Sequence, residues 1–145
     1  MIMPNTDKTE ETHRIFKKIL DRAQDHWGEI YYDYADKLAR GILTTKEGVF
    51  PSELSFDDQK NYLSLTVRLR VNGGPTATRS QSFLRFQNRC VSLLCFVAYD
   101  DEDSIATVRA KTAVPATGSC AHAVGSVFND TLSLLEDSSL HELLN

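Results

Sequence analysis

The chain has 145 residues, 41% of them hydrophobic and 25% charged, which is ordinary for a globular protein and too apolar for a disordered one. At this length one domain buries about two-thirds of its unfolded surface, so no metal or disulfide staple is required. The formal net charge of -4 weighs against nucleic-acid binding, which draws much of its affinity from phosphate neutralisation, although an acidic protein can still carry a local basic face.

Asp7 to Trp27 reads as the first helix. Asp7 and Glu10 have the spacing of a capping box, and Ile15, Phe16, Ile19, Leu20, Ala23 and Trp27 recur at helical spacing as one apolar stripe. Glu11, Arg14, Lys18 and Arg22 lie opposite, so this helix covers something with one face. Ile30 to Leu43 is ambiguous: Tyr31, Tyr32 and Tyr34 favour a strand, whereas Tyr34, Leu38 and Ile42 also fit a helical period. A loop or late helical turn is expected there, followed by a strand around Ala39 to Thr45. Lys46-Glu47-Gly48 forms a turn, and Phe50, Leu54 and Phe56 then alternate with polar residues as a second strand. Pro51 within it predicts an edge strand or a bulge, because proline has no N–H to give to a ladder.

After a polar turn at Asp57 to Asn61, the run Tyr62 to Val71 alternates most cleanly. Leu63, Leu65, Val67, Leu69 and Val71 point to a core, while Tyr62, Ser64, Thr66, Arg68 and Arg70 point to water or a partner. Asn72-Gly73-Gly74-Pro75 ends the strand. Thr78 and Gln81 have capping-box spacing for a short helix through Phe83, Leu84 and Gln87 to about Asn88. Leu94 to Tyr99, the acidic turn Asp100 to Asp103, and Ile105 to Val114 read as a hairpin. Pro115 to Gly118 breaks the chain. Ser119 then caps a helix carrying Val124, Val127, Phe128, Thr131, Leu132 and Leu135, and Ser139 with Glu142 opens a terminal turn bearing Leu140, Leu143 and Leu144. The expected fold is α+β: one domain over residues 1–145, an antiparallel sheet of about five strands with helices packed on one face, in the order α-β-β-β-α-β-β-α.

That order, read with Leu84 to Asn88, the run Cys95-Phe96-Val97-Ala98-Tyr99-Asp100-Asp101, the strand through Val108 and Arg109, and the last helix to Asp137, Leu140 and Leu143, resembles the YbjN family. The fold of that family is similar to that of type III secretion chaperones. The resemblance covers chiefly residues 84 to 144; the earlier strands match in order, and Ile30 to Leu43 departs from the match. It implies a bacterial, non-enzymatic, protein-binding or regulatory protein. Secretion chaperones of this fold are commonly dimers that hold segments of a client protein, which implies a protein partner and a homodimer here. The YbjN branch is described as a sensory-transduction or stress regulator. No functional residue is carried over from either.

No catalytic residue, cofactor or metal site is expected. Gly118-Ser119-Cys120-Ala121-His122 is the one place where a hydroxyl, a thiol and an imidazole crowd together, but neighbours on the first turn of a helix point in different directions. Ser119 reads as a helix cap. Cys90, Cys95, Cys120 and His122 lack Cys-x-x-Cys spacing, so the three cysteines read as buried, reduced thiols of a cytoplasmic protein. His13, His26 and His141 are scattered. Asp100 to Asp103 lacks the alternating oxygen ligands and glycine of a calcium loop, and Asn72-Gly73-Gly74-Pro75 lacks the Lys-Ser/Thr of a phosphate loop. Met1-Ile2-Met3-Pro4-Asn5 shows no secretory signal, and the longest apolar run, Val91 to Tyr99, is too short to cross a bilayer.

The strongest feature outside the core is cationic. Arg68 and Arg70 share one strand face, and Arg109 and Lys111 share a face of the later strand. If these strands are neighbours, the four residues form a patch with Tyr62, and these five are the candidate partner-binding residues. The expectation set against it is a solvated sheet face balanced by Glu53, Asp57 and Asp58. A true patch would suit an acidic peptide or, second to it, nucleic acid. Arg79, Arg85 and Arg89 add charge to the wet side of the middle helix. The preferred reading is a module that holds a partner protein segment on a sheet face or edge. The alternative is a small-molecule sensor or enzyme with a pocket between sheet and helices, using Trp27, Tyr31, Tyr32, Tyr34 and the histidines.

Overall fold

The alternating periods of the sequence assemble into one antiparallel sheet, and the helical periods stack on one side of it. A computed structural model describes residues 4–33, 37–70, 84–90, 95–100, 105–115 and 119–144. In chain order the elements are α1 (Pro4–Ala23), β1 (Gly28–Asp33), β2 (Leu38–Thr45), β3 (Gly48–Asp57), β4 (Tyr62–Arg70), α2 (residues 84–90), β5 (Cys95–Asp100), β6 (Ile105–Ala113), α3 (Ala121–Leu135) and α4 (Ser138–Leu144). The sheet order is β1-β2-β3-β4-β6-β5, with every neighbouring pair antiparallel. After β4 the chain therefore crosses to the far edge, and β6 returns to lie between β5 and β4. The α+β class is as expected; the sheet has six strands rather than about five.

Strand alternation sets the two faces. Leu54, Leu63, Leu65, Val67, Leu69, Ala106, Val108 and Ala110 point inward and are buried. Phe16 and Ile19 of α1, Phe86 of α2, and Val127, Phe128 and Leu134 of α3 meet them in one apolar cluster. Each such large side chain contributes roughly 1.5–3 kcal/mol through burial. Helix α3 lies on β6 and β4, and α1 packs on α3. Arg89 of α2 pairs with Asp137, between α3 and α4, at 3.4 Å.

One contact ties the first half of the chain together. Helix α1 ends at Ala23, and the turn that follows donates from Asp25 N–H to the Arg22 carbonyl and from His26 N–H to the Ala23 carbonyl. This delivers Trp27 beneath β2. A Cβ at Gly41 would lie 2.4 Å from Trp27 Cδ2, so only glycine admits the ring there. The Trp27 indole N–H donates to Ser52 Oγ (2.7 Å), and the Ser52 hydroxyl donates to the Gly41 carbonyl (3.2 Å). Phe128 meets the Trp27 ring edge-on at 5.2 Å and stacks on His26 at 4.9 Å.

Three expectations are corrected. First, the strand expected around Ala39 to Thr45 is present as β2, but Ile30 to Asp33, expected as a loop or late helical turn, belongs to strand β1, which pairs with β2 through Tyr31 opposite Arg40, with a register shift between Gly28 and Tyr31. A bulged edge strand needs no clean alternation, which hid it. Second, α1 spans Pro4–Ala23 rather than Asp7 to Trp27; proline suits a first helical turn, where its missing N–H has no partner. Third, β3 is interior, not an edge. Pro51 is tolerated because the ladder to β4 stops at Ser52 opposite Val67, one residue short of the proline. The expected turn at residues 72–75, the capping box of Thr78 and Gln81, Tyr34, Arg79 and the acidic turn at 101–103 lie outside the described residues.

Replacing Gly41 by alanine should cost about 1–3 kcal/mol, the range for overpacking a filled core. Urea unfolding measures it. In a Trp27→Leu background the same change should cost less than half as much, since the ring that the methyl would strike is gone.

Candidate partner-binding face

The face of the sheet turned away from the helices collects the five candidate residues. Strands β4 and β6 are neighbours, with Thr66 opposite Arg109, Ser64 opposite Lys111 and Arg68 opposite Thr107. Arg68, Arg70, Arg109 and Lys111 are exposed and Tyr62 is half-buried, all on this face. Arg109 Nε donates to Thr66 Oγ1 at 3.2 Å. The Lys111 ammonium sits over the Tyr62 ring, 4.5 Å from its centroid, a cation–π contact between neighbouring strands.

Of the expected counter-charges, Glu53 and Asp57 stand on this same face, opposite Thr66 and Tyr62. Glu53 pairs with Arg40 of β2 at 3.1 Å. Asp57 Oδ1 accepts the backbone N–H groups of Gln59 and Lys60, closing the β3–β4 turn, and Asp58 pairs with Lys37 at 3.1 Å. The three acids are thus engaged with other groups. Among the described residues no acidic side chain pairs with Arg68 or Arg70.

The face also has a groove that the sequence reading missed. Where the β3–β4 ladder stops, a concavity of about 410 Å³ opens, lined by Tyr31, Arg40, Ile42, Pro51, Glu53, Thr66 and Arg68. The backbone pair Gly41 and Ser52 forms its floor, directly over Trp27. Tyr31 is 79% exposed at its rim. The available signal was the half-buried apolar Leu38 and Ile42 alternating with Arg40 and Thr44 in β2, but without the pairing of β1 that run has no direction.

Ser119 Oγ accepts the Ala121 N–H at 3.1 Å, while the cap position itself is Cys120, whose side chain caps nothing. His122 is exposed. Trp27 lies under the sheet and Tyr31 above it, so they line no common pocket. Among the described residues no three His, Cys, Asp or Glu side chains gather as a metal site. Nor is any described helix long and apolar enough to cross a membrane. Burial pushes the Cys90 thiol up to about 12, with Cys95 and Asp137 adding to the effect, and pushes Cys95 up to about 11, helped by Asp130. Cys120 is raised as well, by burial first. Such thiols stay neutral and weakly nucleophilic at physiological pH.

No protein-family model matches this sequence, and no sequence relative is detectable among the curated proteins. Solved structures do share its fold. A chain of the ExsC–ExsE complex superposes with a TM-score of 0.61 over 92% of this chain and 95% of its own length, at 10% identity. A chain of the HopA1–SchA chaperone–effector complex gives a TM-score of 0.58 over 87% and 91%, at 15% identity. This chain therefore shares its fold with these two chains over nearly its whole length; at these identities the likeness is one of fold.

The thiols give a pH signature. Their folded pKa values lie above the ordinary 9.0, so the stability they contribute is present in full below about pH 9 and is lost as pH rises towards 11 and 12. Each thiol should remove about 1.4 kcal/mol per pH unit in that window. Urea unfolding of wild type and Cys90→Ala at pH 8, 9 and 10 checks this: the variant should lose stability less steeply.

Proposed function

We propose that this protein is a chaperone-like binding module without enzymatic activity, which holds a segment of a partner protein on the outer face of its sheet. The carrying observation is that face: Arg68, Arg70, Arg109 and Lys111 share it with Tyr62, and the two acids on it, Glu53 and Asp57, are engaged by Arg40 and by the β3–β4 turn. Two further points support it. The fold is shared with a chain of a chaperone–effector complex, and Ser119 Oγ is engaged at the start of α3 while burial keeps the Cys90 and Cys95 thiols neutral. The YbjN-like pattern of residues 84 to 144 supports placing it in that branch of the fold, as a regulator. Pairing with a second copy of itself belongs to the same proposal and is tested by sedimentation.

Affinity capture from native lysate with the wild type and with Arg68→Glu/Arg70→Glu tests the reading. Specific proteins retained by the wild type should be lost or reduced several-fold by the variant. Both substitutions are at exposed positions, so thermal unfolding should stay within about 0.5 kcal/mol of wild type. Equal recovery by both proteins, or nothing above background at any salt concentration, would count against a role for this face.

A further inference from the structure

We infer that the groove between β2 and β4 takes an extended, acidic segment of the partner, with one apolar side chain seated against Tyr31, Ile42 and Pro51. The inference rests on the protein-binding reading and gives the bound segment its chemistry. Above its backbone floor the groove offers apolar Ile42 and Pro51, flanked by two guanidinium groups, Arg40 and Arg68, with the Glu53 carboxylate held on Arg40. Arg68 has no acidic partner among the described residues, and Arg40 is held only by the exposed pair with Glu53. An exposed ion pair is worth about 0–1 kcal/mol, so an incoming carboxylate shares Arg40 at little cost. Further across the sheet, Arg109 stands beside Thr66 on the same face and adds a third guanidinium. A segment with carboxylates on both sides of an apolar residue meets all of these at once, on a face whose charge is opposite to that of the chain as a whole.

Other occupants fit less well. Small-molecule sites bury roughly 70–90% of their ligand, whereas Tyr31, Pro51 and Arg68 leave this groove open along its length. Proteins that bind single-stranded nucleic acid stack successive bases on several aromatic rings. On this face Tyr31 is the one large ring exposed among the described residues.

A random peptide library displayed on phage, selected against the full chain, tests the inference. Selected sequences should carry Asp or Glu on both sides of a Leu, Ile, Phe or Tyr. A synthetic peptide of that pattern should bind Arg68→Glu about tenfold more weakly than wild type by fluorescence anisotropy. Tyr31→Ser should weaken that peptide but not its counterpart with serine at the apolar position, and thermal unfolding checks that both variants are folded. Selection of basic or uncharged sequences, selection of nothing, or the same sequences chosen by Arg68→Glu overturns it. So does Arg68-dependent binding of single-stranded oligodeoxythymidine, or of a second copy of the chain, in place of the peptide. If lysate capture depends on Arg68 and Arg70 while acidic peptides are not selected, this inference falls and the protein-binding reading stands; if capture itself fails, that reading falls.

Discussion

The Trp27 indole pressed against Gly41 is the contact on which the candidate site depends. Its N–H reaches Ser52 Oγ, and that hydroxyl reaches the Gly41 carbonyl, so one ring fixes α1, β2 and β3 relative to one another. Phe128 of α3 closes on the same ring from below. The polar groups satisfy each other, which matters because an unpaired buried donor costs about 1–3 kcal/mol. On the opposite side of the sheet, the same Gly41–Ser52 backbone pair is the floor of the groove. Core and surface geometry are thus set by one arrangement, and a change at Gly41 is felt on both faces.

The interior of β3 shows how a sheet can fold around a proline. Pro51 sits opposite Ile42 in the β2 ladder, but the β4 ladder ends at Ser52 and Val67. A central strand that overhangs its neighbour has a stretch with no donor obligation on that side, and the proline occupies it. The overhang also leaves Arg68 beyond the last β3 pair, where its guanidinium borders the groove rather than another strand. The departure from ladder regularity and the concave surface have the same cause.

Much of this was legible in the sequence where one period dominated. Leu63, Leu65, Val67 and Leu69 against Tyr62, Thr66, Arg68 and Arg70 marked both faces of β4, and the same alternation put Arg109 and Lys111 on one face of β6; that the two strands are neighbours comes from the structure. The apolar stripe of α1 was readable through to Trp27, although the helix ends four residues earlier, because the turn continues the spacing. What was hidden is non-local. Nothing in Tyr31 or Arg40 announces that they are cross-strand neighbours, since β1 carries a bulge and overlapping periods. Reading Pro51 as an edge marker was sound locally and failed because donor obligations depend on where the neighbouring ladder stops. The counter-charges were legible only as to face: Glu53 and Asp57 are on it, but Arg40 reaches Glu53 from a strand whose pairing was not foreseen.

Charge placement is what the proposed role of the bare face rests on. A face meant only to be wet does best with acids and bases interspersed, since exposed pairs cost little and isolated like charges repel. Here the acids have been drawn into the Arg40 pair, the β3–β4 turn and the Lys37 pair, leaving Arg68 and Arg70 adjacent on one strand face of a chain with excess acid. Lys111 is shielded by the Tyr62 ring and Arg109 by Thr66, which orders both without neutralising either. Ordered cations lose less entropy on binding than free ones, so a face built this way is suited to meet carboxylates, and a bound acidic segment would relieve the repulsion that the folded chain alone leaves in place.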